Sequence, residues 1–160
     1  MERIVHPIEA VFDENSKILI LGSFPSVKSR EYGFFYGHPQ NRFWKVIARI
    51  CGEDVPLSIE EKRELLLRNG IALWDVIGSC EITGSADSSI KNAVPNDLSR
   101  IFEIADIEAV FTNGKTADRL YVKYNGRIDA VCLPSTSPAN AAWSEDRLYA
   151  FWNERIKEYL

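Results

Sequence analysis

The apolar residues of this chain fall into short continuous runs that alternate with longer amphipathic segments. Four of the runs predict buried strands, at residues 17–21, 71–74, 107–111 and 128–133. A continuous apolar run, in place of strict apolar–polar alternation, is typical of a strand that is covered on both faces. The pattern therefore predicts an internal sheet with layers of structure on either side.

The segments between these runs have apolar residues at helical spacing. Pro39 predicts the start of a helix that Gly52 ends, and the capping-box pattern of Ser58 and Glu61 predicts the start of a second helix. Further helices are predicted at residues 98–105, 115–124 and 144–156. The longest irregular stretches, residues 22–38 and 77–95, combine glycine, serine, aromatic and charged residues, so we expect them to be functional loops.

The order of these elements predicts the fold class. Strands and helices alternate as β-α-α-β-α-β-α-β-α, which indicates an α/β protein with three layers, α/β/α, around a central four-stranded, mainly parallel sheet. A chain of 160 residues with 46% apolar residues has the usual size of one domain. We therefore expect a single domain that spans residues 1–160.

Polar and turn residues follow each predicted strand. They are Gly22-Ser23, Asp75, Asn113-Gly114 and residues 135–140. Ligands of open α/β sheets bind outside the carboxyl ends of the strands. The sequence therefore predicts a binding site where these four loops converge.

At these loops the sequence resembles a known superfamily. Gly22-Ser23-Phe24-Pro25-Ser26 resembles the first motif of the uracil-DNA glycosylase superfamily, and Ser135-Thr136-Ser137-Pro138-Ala139-Asn140 resembles its second motif. Residues 33–47 are similar to the mismatch-specific uracil/thymine branch. The combination of Ser-Phe-Pro, Asn41 and Ser-Thr-Ser-Pro is most similar to the hypoxanthine-DNA glycosylase family.

The resemblance implies a uracil-DNA glycosylase-like fold and a monofunctional DNA glycosylase of base excision repair. Such an enzyme flips out a deaminated base, here hypoxanthine, and removes it by hydrolysis. The alternative is uracil or thymine excision from mismatches, which Phe24 disfavours because the mismatch-specific branch has at this position an Asn that handles the attacking water. A lower-ranked alternative is a non-catalytic DNA-binding α/β domain.

The resemblance also implies catalytic and base-binding residues. Asn41, with Ser23 and Phe24 of the first motif, forms the predicted catalytic group, and Asn41 is equally a polar residue in the first turn of a helix. Tyr36 is predicted to stack under the base, although it also fits as one more partly buried aromatic residue. Base contacts are further assigned to Ser23, to Asp75, whose ionised carboxylate suits a ring N–H, and to His38. Asp75 is equally compatible with a turn cap, and His38 with a loop-fixing role.

The second motif is predicted to contact the phosphates that flank the flipped nucleotide, although Ser-Pro-Asn clusters are also common in ordinary loops. The predicted DNA-binding residues are Ser135, Thr136, Ser137, Pro138, Asn140, Lys28 and Arg42. The formal net charge of −4 opposes general nucleic-acid binding unless basic residues gather on one face.

Composition restricts the remaining classes of protein to which this chain could belong. Three separated cysteines indicate a reducing compartment and do not suffice for a four-cysteine iron–sulfur cluster, so we expect no cofactor and no metal. The two histidines, His6 and His38, and the absence of a Gly-x-Ser-x-Gly motif disfavour a serine hydrolase. With no apolar stretch of membrane-spanning length and no signal peptide pattern, we expect a monomeric, cytoplasmic, nucleoid-associated protein whose partner is damaged DNA.

Overall fold

The structure is a computed structural model that describes residues 3–126 and 128–160. Its strands are β1 (Arg3–Val5), β2 (Ile18–Gly22), β3 (Ile71–Asp75), β4 (Ile77–Glu81), β5 (Lys91–Pro95), β6 (Ala109–Asn113) and β7 (Ala130–Leu133). Its α-helices are α1 (Val27–Tyr32), α2 (Phe43–Cys51), α3 (Ile59–Arg68), α4 (Ser99–Phe102), α5 (Lys115–Tyr124) and α6 (Glu145–Ile156).

The central sheet confirms the predicted architecture. Four strands lie in the order β3-β2-β6-β7, and each neighbouring pair is parallel. Ile20 in the middle of β2 pairs with Leu73 on one side and Phe111 on the other. Every residue of β2 and β3 is buried, which requires cover on both faces of the sheet and explains their continuous apolar sequences.

The helices provide this cover. Helices α2 and α6 pack against each other, α3 packs on β3, and α5 packs on β6 and β7. Local capping signals determine where α3 and α6 begin, because the hydroxyls of Ser58 and Ser144 each accept a backbone N–H of the first turn. The bounds of α3, α5 and α6 confirm the three helices predicted in these segments. No helix of the described residues has the length and apolarity to cross a bilayer.

A second sheet occupies part of the stretch 77–95, which the sequence pattern predicts as irregular. Strands β1, β4 and β5 form this antiparallel sheet in the order β1-β4-β5. The prediction was wrong because the strand Ile77–Glu81 contains glycine and serine, which have low strand propensity. Its pairing also depends on residues more than 70 positions away, such as Arg3 with Glu81.

The first loop also contains unpredicted structure. The short helix α1 lies inside the stretch 22–38, capped by Ser26 and ended by Gly33 in a left-handed conformation. Helix α2 begins at Phe43, four residues after the predicted start at Pro39. A turn closed by the Asn41 N–H and the His38 carbonyl takes up the intervening residues. Strands β6 and β7 begin two residues later than predicted, and α4 is limited to four residues.

Candidate active site

The carboxyl edge of the central sheet opens into a cavity of about 400 Å³. The first motif, at residues 22–26, lines it together with residues 135–139 of the second motif. Between them the wall includes Tyr36, His38, Asn41, Asp75, Asp87 and Asn113. The loops that the sequence predicts to converge at this edge therefore meet at one cavity.

Asp75 is the buried carboxylate of this cavity. It lies at the end of β3 and is only 4% exposed. His6, which directly follows β1, contacts it with 2.8 Å between Nε2 and Oδ2, and both side chains are almost fully buried. The backbone N–H of Ile8 donates to Nδ1 of His6 at 3.2 Å, so Nε2 carries the proton and donates to Asp75. His6 thus fixes the Oδ2 side of the carboxylate.

Gly22 determines what lies against the other oxygen of Asp75. A Cβ at this position would overlap Oδ1 of Asp75 and would lie 3.0 Å from Oη of Tyr36. Glycine at the end of β2 therefore lets a carboxylate oxygen and a phenol oxygen approach the same point. This close approach is a packing reason for the first residue of the motif.

Tyr36 is held in an unusual conformation. Its φ of 52° lies in the left-handed region, which is uncommon for a bulky residue. Its ring stacks on Phe43 with centroids 4.2 Å apart. Burial raises the pKa of the Tyr36 hydroxyl above its usual range, and the charge of Asp75 raises it further, although the Asn113 amide opposes the shift. The hydroxyl therefore stays protonated, and it has no hydrogen-bond partner of ordinary geometry among the described residues.

Ser23 connects the first motif to a second carboxylate. Its hydroxyl donates to Oδ1 of Asp87 at 2.9 Å. Asp87 begins a short 3-10 helix at residues 87–89, in the stretch before β5. Burial raises the pKa of the Asp87 carboxyl; the Ser23 hydrogen bond opposes the shift, Asp75 adds to it, and Arg119 also opposes it. The cavity thus contains two acidic groups that interact through their charges.

Asn41 lies just before α2, and its side chain lines the cavity. Its Oδ1 accepts the backbone N–H of Phe43 at 3.0 Å, which satisfies a free donor at the start of the helix. An amide oxygen has a second lone pair, so this contact leaves capacity to accept from a water. His38, also in the wall, accepts the Gln40 N–H on Nδ1 at 3.1 Å and thereby fixes the loop.

The second motif is organised largely by Arg42. Its guanidinium group, through Nε, Nη1 and Nη2, donates to the backbone carbonyls of Thr136, Ser137, Asn140 and Trp143. Four of the five N–H donors of Arg42 are thus used inside the protein, which differs from the phosphate contact expected from the sequence. The structure therefore gives Arg42 a role in shaping the loop.

Thr136 is likewise an internal residue. It is completely buried, its Oγ1 accepts from the Asn113 amide at 3.0 Å, and its N–H donates to Asn113 Oδ1 at 3.0 Å. These two bonds tie the second motif to the end of β6. Ser135, Ser137 and Pro138 line the cavity, whereas Asn140 donates to the Ser135 carbonyl. Lys28, on α1, is exposed beside Glu31 and lies outside the cavity wall.

His6 and Asp87 belong to the site although the sequence motifs do not identify them. Asp87 lies in the stretch 77–95, whose composition predicts a functional loop. Its contact with Ser23 was not predictable because the two residues are 64 positions apart in the sequence. His6 is separated from Asp75 by 69 positions. The described residues contain no cluster of His, Cys, Asp or Glu that is suited to a metal ion.

The chain is similar in sequence to known proteins. Residues 9–157 match the family described as the uracil DNA glycosylase superfamily. The chain is 37% identical to a hypoxanthine DNA glycosylase of Methanosarcina acetivorans over 141 residues, which cover 86% of this chain and 89% of the relative. It is 40% identical to the protein of the same name from Methanosarcina barkeri over 107 residues, covering 66% and 68% of the two chains.

A solved structure has the same fold. The solution NMR structure of a candidate uracil DNA glycosylase from Methanosarcina acetivorans superposes with a TM-score of 0.83 at 33% identity, covering 98% of this chain and 99% of that chain. The match extends over both sheets and the cavity, since it includes nearly the whole described chain.

Proposed function

Because the chain belongs to the uracil DNA glycosylase superfamily, we propose that it excises hypoxanthine from DNA by hydrolysis of the N-glycosidic bond. The observation that carries the proposal is one cavity in which both motifs, Asn41 and the buried carboxylate Asp75 come together. The identity of 37% to a protein named hypoxanthine DNA glycosylase, over 86% of this chain, supports the choice of base.

In the proposed reaction the flipped nucleotide enters the cavity and the bond between C1′ and N9 breaks. The bonding electron pair leaves with the base, the sugar becomes oxocarbenium-like, and a water oxygen bonds to C1′. One water proton is released as the hydroxyl forms at C1′, and the departing base gains a proton at nitrogen. The products are free hypoxanthine and an abasic site.

Two side chains have roles in this scheme. Asn41 holds the attacking water through Oδ1, whose other lone pair accepts the Phe43 N–H. Asp75 accepts N1–H of hypoxanthine through Oδ1, since His6 occupies Oδ2. No lysine is among the described residues that line the cavity, so the scheme includes no Schiff base and no strand cleavage.

The phosphates of the flipped strand are proposed to contact the part of the second motif that lines the cavity and is partly exposed, at Ser135, Ser137 and Pro138. A single chain contains every group that the scheme uses, which favours a monomer as the active form. DNA as substrate implies a cytoplasmic protein that acts at the nucleoid.

The test measures single-turnover excision from duplexes that contain one hypoxanthine, uracil, xanthine or mismatched thymine. We expect hypoxanthine to be released fastest. Asn41→Ala should reduce its release by about 10²–10³-fold, because the water is no longer positioned. Asn41→Ser should be similarly slow while it keeps a capping oxygen for Phe43, which separates the catalytic role from helix capping.

The matched control is Asn15→Ala, an exposed position before β2 at the opposite edge of the sheet, which should leave the rate unchanged. Release from none of the four substrates by folded wild-type protein would contradict the proposed activity. Unchanged release by both Asn41 variants would contradict the role of Asn41 while leaving the activity in place.

A further inference from the structure

The Tyr36 hydroxyl is the least explained polar group in the cavity wall. It is buried without a hydrogen-bond partner of ordinary geometry among the described residues, which costs about 1–3 kcal/mol for a desolvated hydroxyl. The backbone of Tyr36 is also strained, with φ at 52°. Strain and an unsatisfied donor at one residue of a cavity indicate a group that is arranged for a ligand.

Two polar side chains lie near this hydroxyl, the Asn113 amide and the Asp75 carboxylate, and the carboxylate can only accept hydrogen bonds. Tyr36 Oη and Asp75 Oδ1 both lie within 3.0 Å of the point that a Gly22 Cβ would occupy. They do not form a hydrogen bond of ordinary geometry with each other. His6 Nε2–H takes the other oxygen of Asp75, so Oδ1 faces this point as an acceptor. Because both residues line the cavity, its wall contains one donor and one acceptor close together.

We propose that Tyr36 Oη and Asp75 Oδ1 together read the lactam edge of the flipped base, the Tyr36 hydroxyl donating to the ring carbonyl and Asp75 accepting the adjacent ring N–H. This inference rests on the proposed glycosylase function and extends it to a class of base. Hypoxanthine presents N1–H beside O6, and uracil presents N3–H beside O4. Both edges match the pair.

Adenine and cytosine, the parents of these two bases, have the reverse pattern, whereas guanine and thymine share the lactam edge. Adenine offers an N1 lone pair beside an amino group, and cytosine offers an N3 lone pair beside an amino group. An adenine in this orientation would place a lone pair against the Asp75 carboxylate and an N–H against the Tyr36 donor. A site whose buried polar groups are left unpaired rejects a ligand strongly. The pair therefore selects hypoxanthine against adenine and uracil against cytosine.

This role differs from the stacking that the sequence resemblance implies for Tyr36. One face of its ring already packs on Phe43 at 4.2 Å. A stacking role needs only the ring, whereas edge reading needs the hydroxyl. The substitution Tyr36→Phe separates the two roles, because it removes the hydroxyl and keeps the ring.

The experiment compares wild type and Tyr36→Phe in single-turnover excision from hypoxanthine and uracil duplexes. It also compares their binding to duplexes that contain 2′-fluoro-deoxyinosine, which resists cleavage, or adenine at the same position. We expect Tyr36→Phe to lose about 10- to 100-fold in excision of both lactam bases and to lose preference for the inosine analogue over adenine. Its melting temperature should be equal to or above that of wild type, because an unpaired buried hydroxyl is removed.

Tyr32→Phe is the matched control, since Tyr32 is 40% exposed on α1 and lies outside the cavity wall. Unchanged excision and unchanged preference in Tyr36→Phe would overturn the inference. If wild type excises nothing but prefers the inosine analogue, and Tyr36→Phe loses that preference, then the proposed activity fails while the edge reading stands. Absence of both excision and preference in wild type would overturn both.

Discussion

Gly22 has no side chain at the point where Asp75 and Tyr36 come together, and at the scale of single residues this gap controls the geometry of the cavity floor. Gly22→Ala should lower hypoxanthine excision at least 100-fold and destabilise the fold by about 1–3 kcal/mol, because the new methyl group overlaps Asp75 Oδ1. Single-turnover kinetics and denaturant unfolding measure the two effects.

The double variant Gly22→Ala/Asp75→Ala tests the cause of that destabilisation. If the clash with Asp75 is responsible, removing the carboxylate recovers most of the lost stability, and the two effects are not additive. Additive losses would show that Gly22 acts through some other contact.

Asp87 is a partly buried acid, and its raised pKa affects the stability of the fold. The folded state holds its proton more tightly than the unfolded state does, so stability decreases as pH rises through the carboxyl range and the penalty persists at neutral pH. Asp87→Asn keeps an acceptor for Ser23 and removes the charge. We expect a melting temperature a few degrees above wild type at pH 7.5, with the difference disappearing near pH 3.5. An advantage that grows toward acid pH would contradict this assignment.

At the scale of elements, β1 places His6, which directly follows it, beside Asp75 at the end of β3. His6→Leu should leave the Asp75 carboxylate buried without its donor, which costs about 2–4 kcal/mol of stability. It should also lower hypoxanthine excision about 10- to 100-fold. His6→Gln, which retains an N–H of similar reach, should recover part of both losses. Equal effects of Leu and Gln would show that His6 contributes packing alone.

The loop from Thr136 to Trp143 depends on α2 through Arg42. Arg42→Met removes donors from four carbonyls, so amide hydrogen exchange across residues 135–143 should become much faster while the central strands keep their protection. Arg42→Lys should rescue little, because a single ammonium group cannot match the forked geometry. Unchanged exchange in Arg42→Met would contradict the structural role of Arg42.

The elements that the sequence predicts well are those with local signals. Helices α3 and α6 have serine caps, and β2 and β3 are continuous apolar runs, so each is defined within its own segment. The small sheet was not predicted because Ile77–Glu81 has weak strand propensity and one of its two partner strands, Arg3–Val5, is distant in the sequence. Helix α1 is too short, at six residues, to show a period.

The same distinction holds for the candidate site. The positions of residues at or just after strand ends, such as Asp75 and residues 135–140, are predictable because parallel strands bring their carboxyl ends together. Contacts between distant segments are not: His6 with Asp75 and Ser23 with Asp87 depend on the completed fold. The hydrogen bonds of Arg42 to four backbone carbonyls were not predictable either, because an arginine beside an aromatic loop equally fits a phosphate contact.

For the whole molecule, the net charge of −4 requires DNA affinity to come from a limited set of basic groups. Lys28→Ala, next to the first motif, should weaken binding to hypoxanthine and adenine duplexes equally and reduce the slope of log K against log salt by about 1. Lys17→Ala, at an exposed position just before β2 and at the opposite edge of the sheet, is the control and should change neither quantity. A selective loss for hypoxanthine duplexes would contradict a phosphate contact.

The most direct test of the central claim is the identification of the base that wild-type protein releases. A duplex with one deoxyinosine, and the same duplex with deoxyadenosine, would be incubated with excess protein and analysed by chromatography for free bases and by gel for strand breaks. We expect free hypoxanthine in amounts equal to the abasic sites, intact strands before alkali treatment, and no free adenine. Absence of free hypoxanthine, or equal release of adenine, would contradict the account.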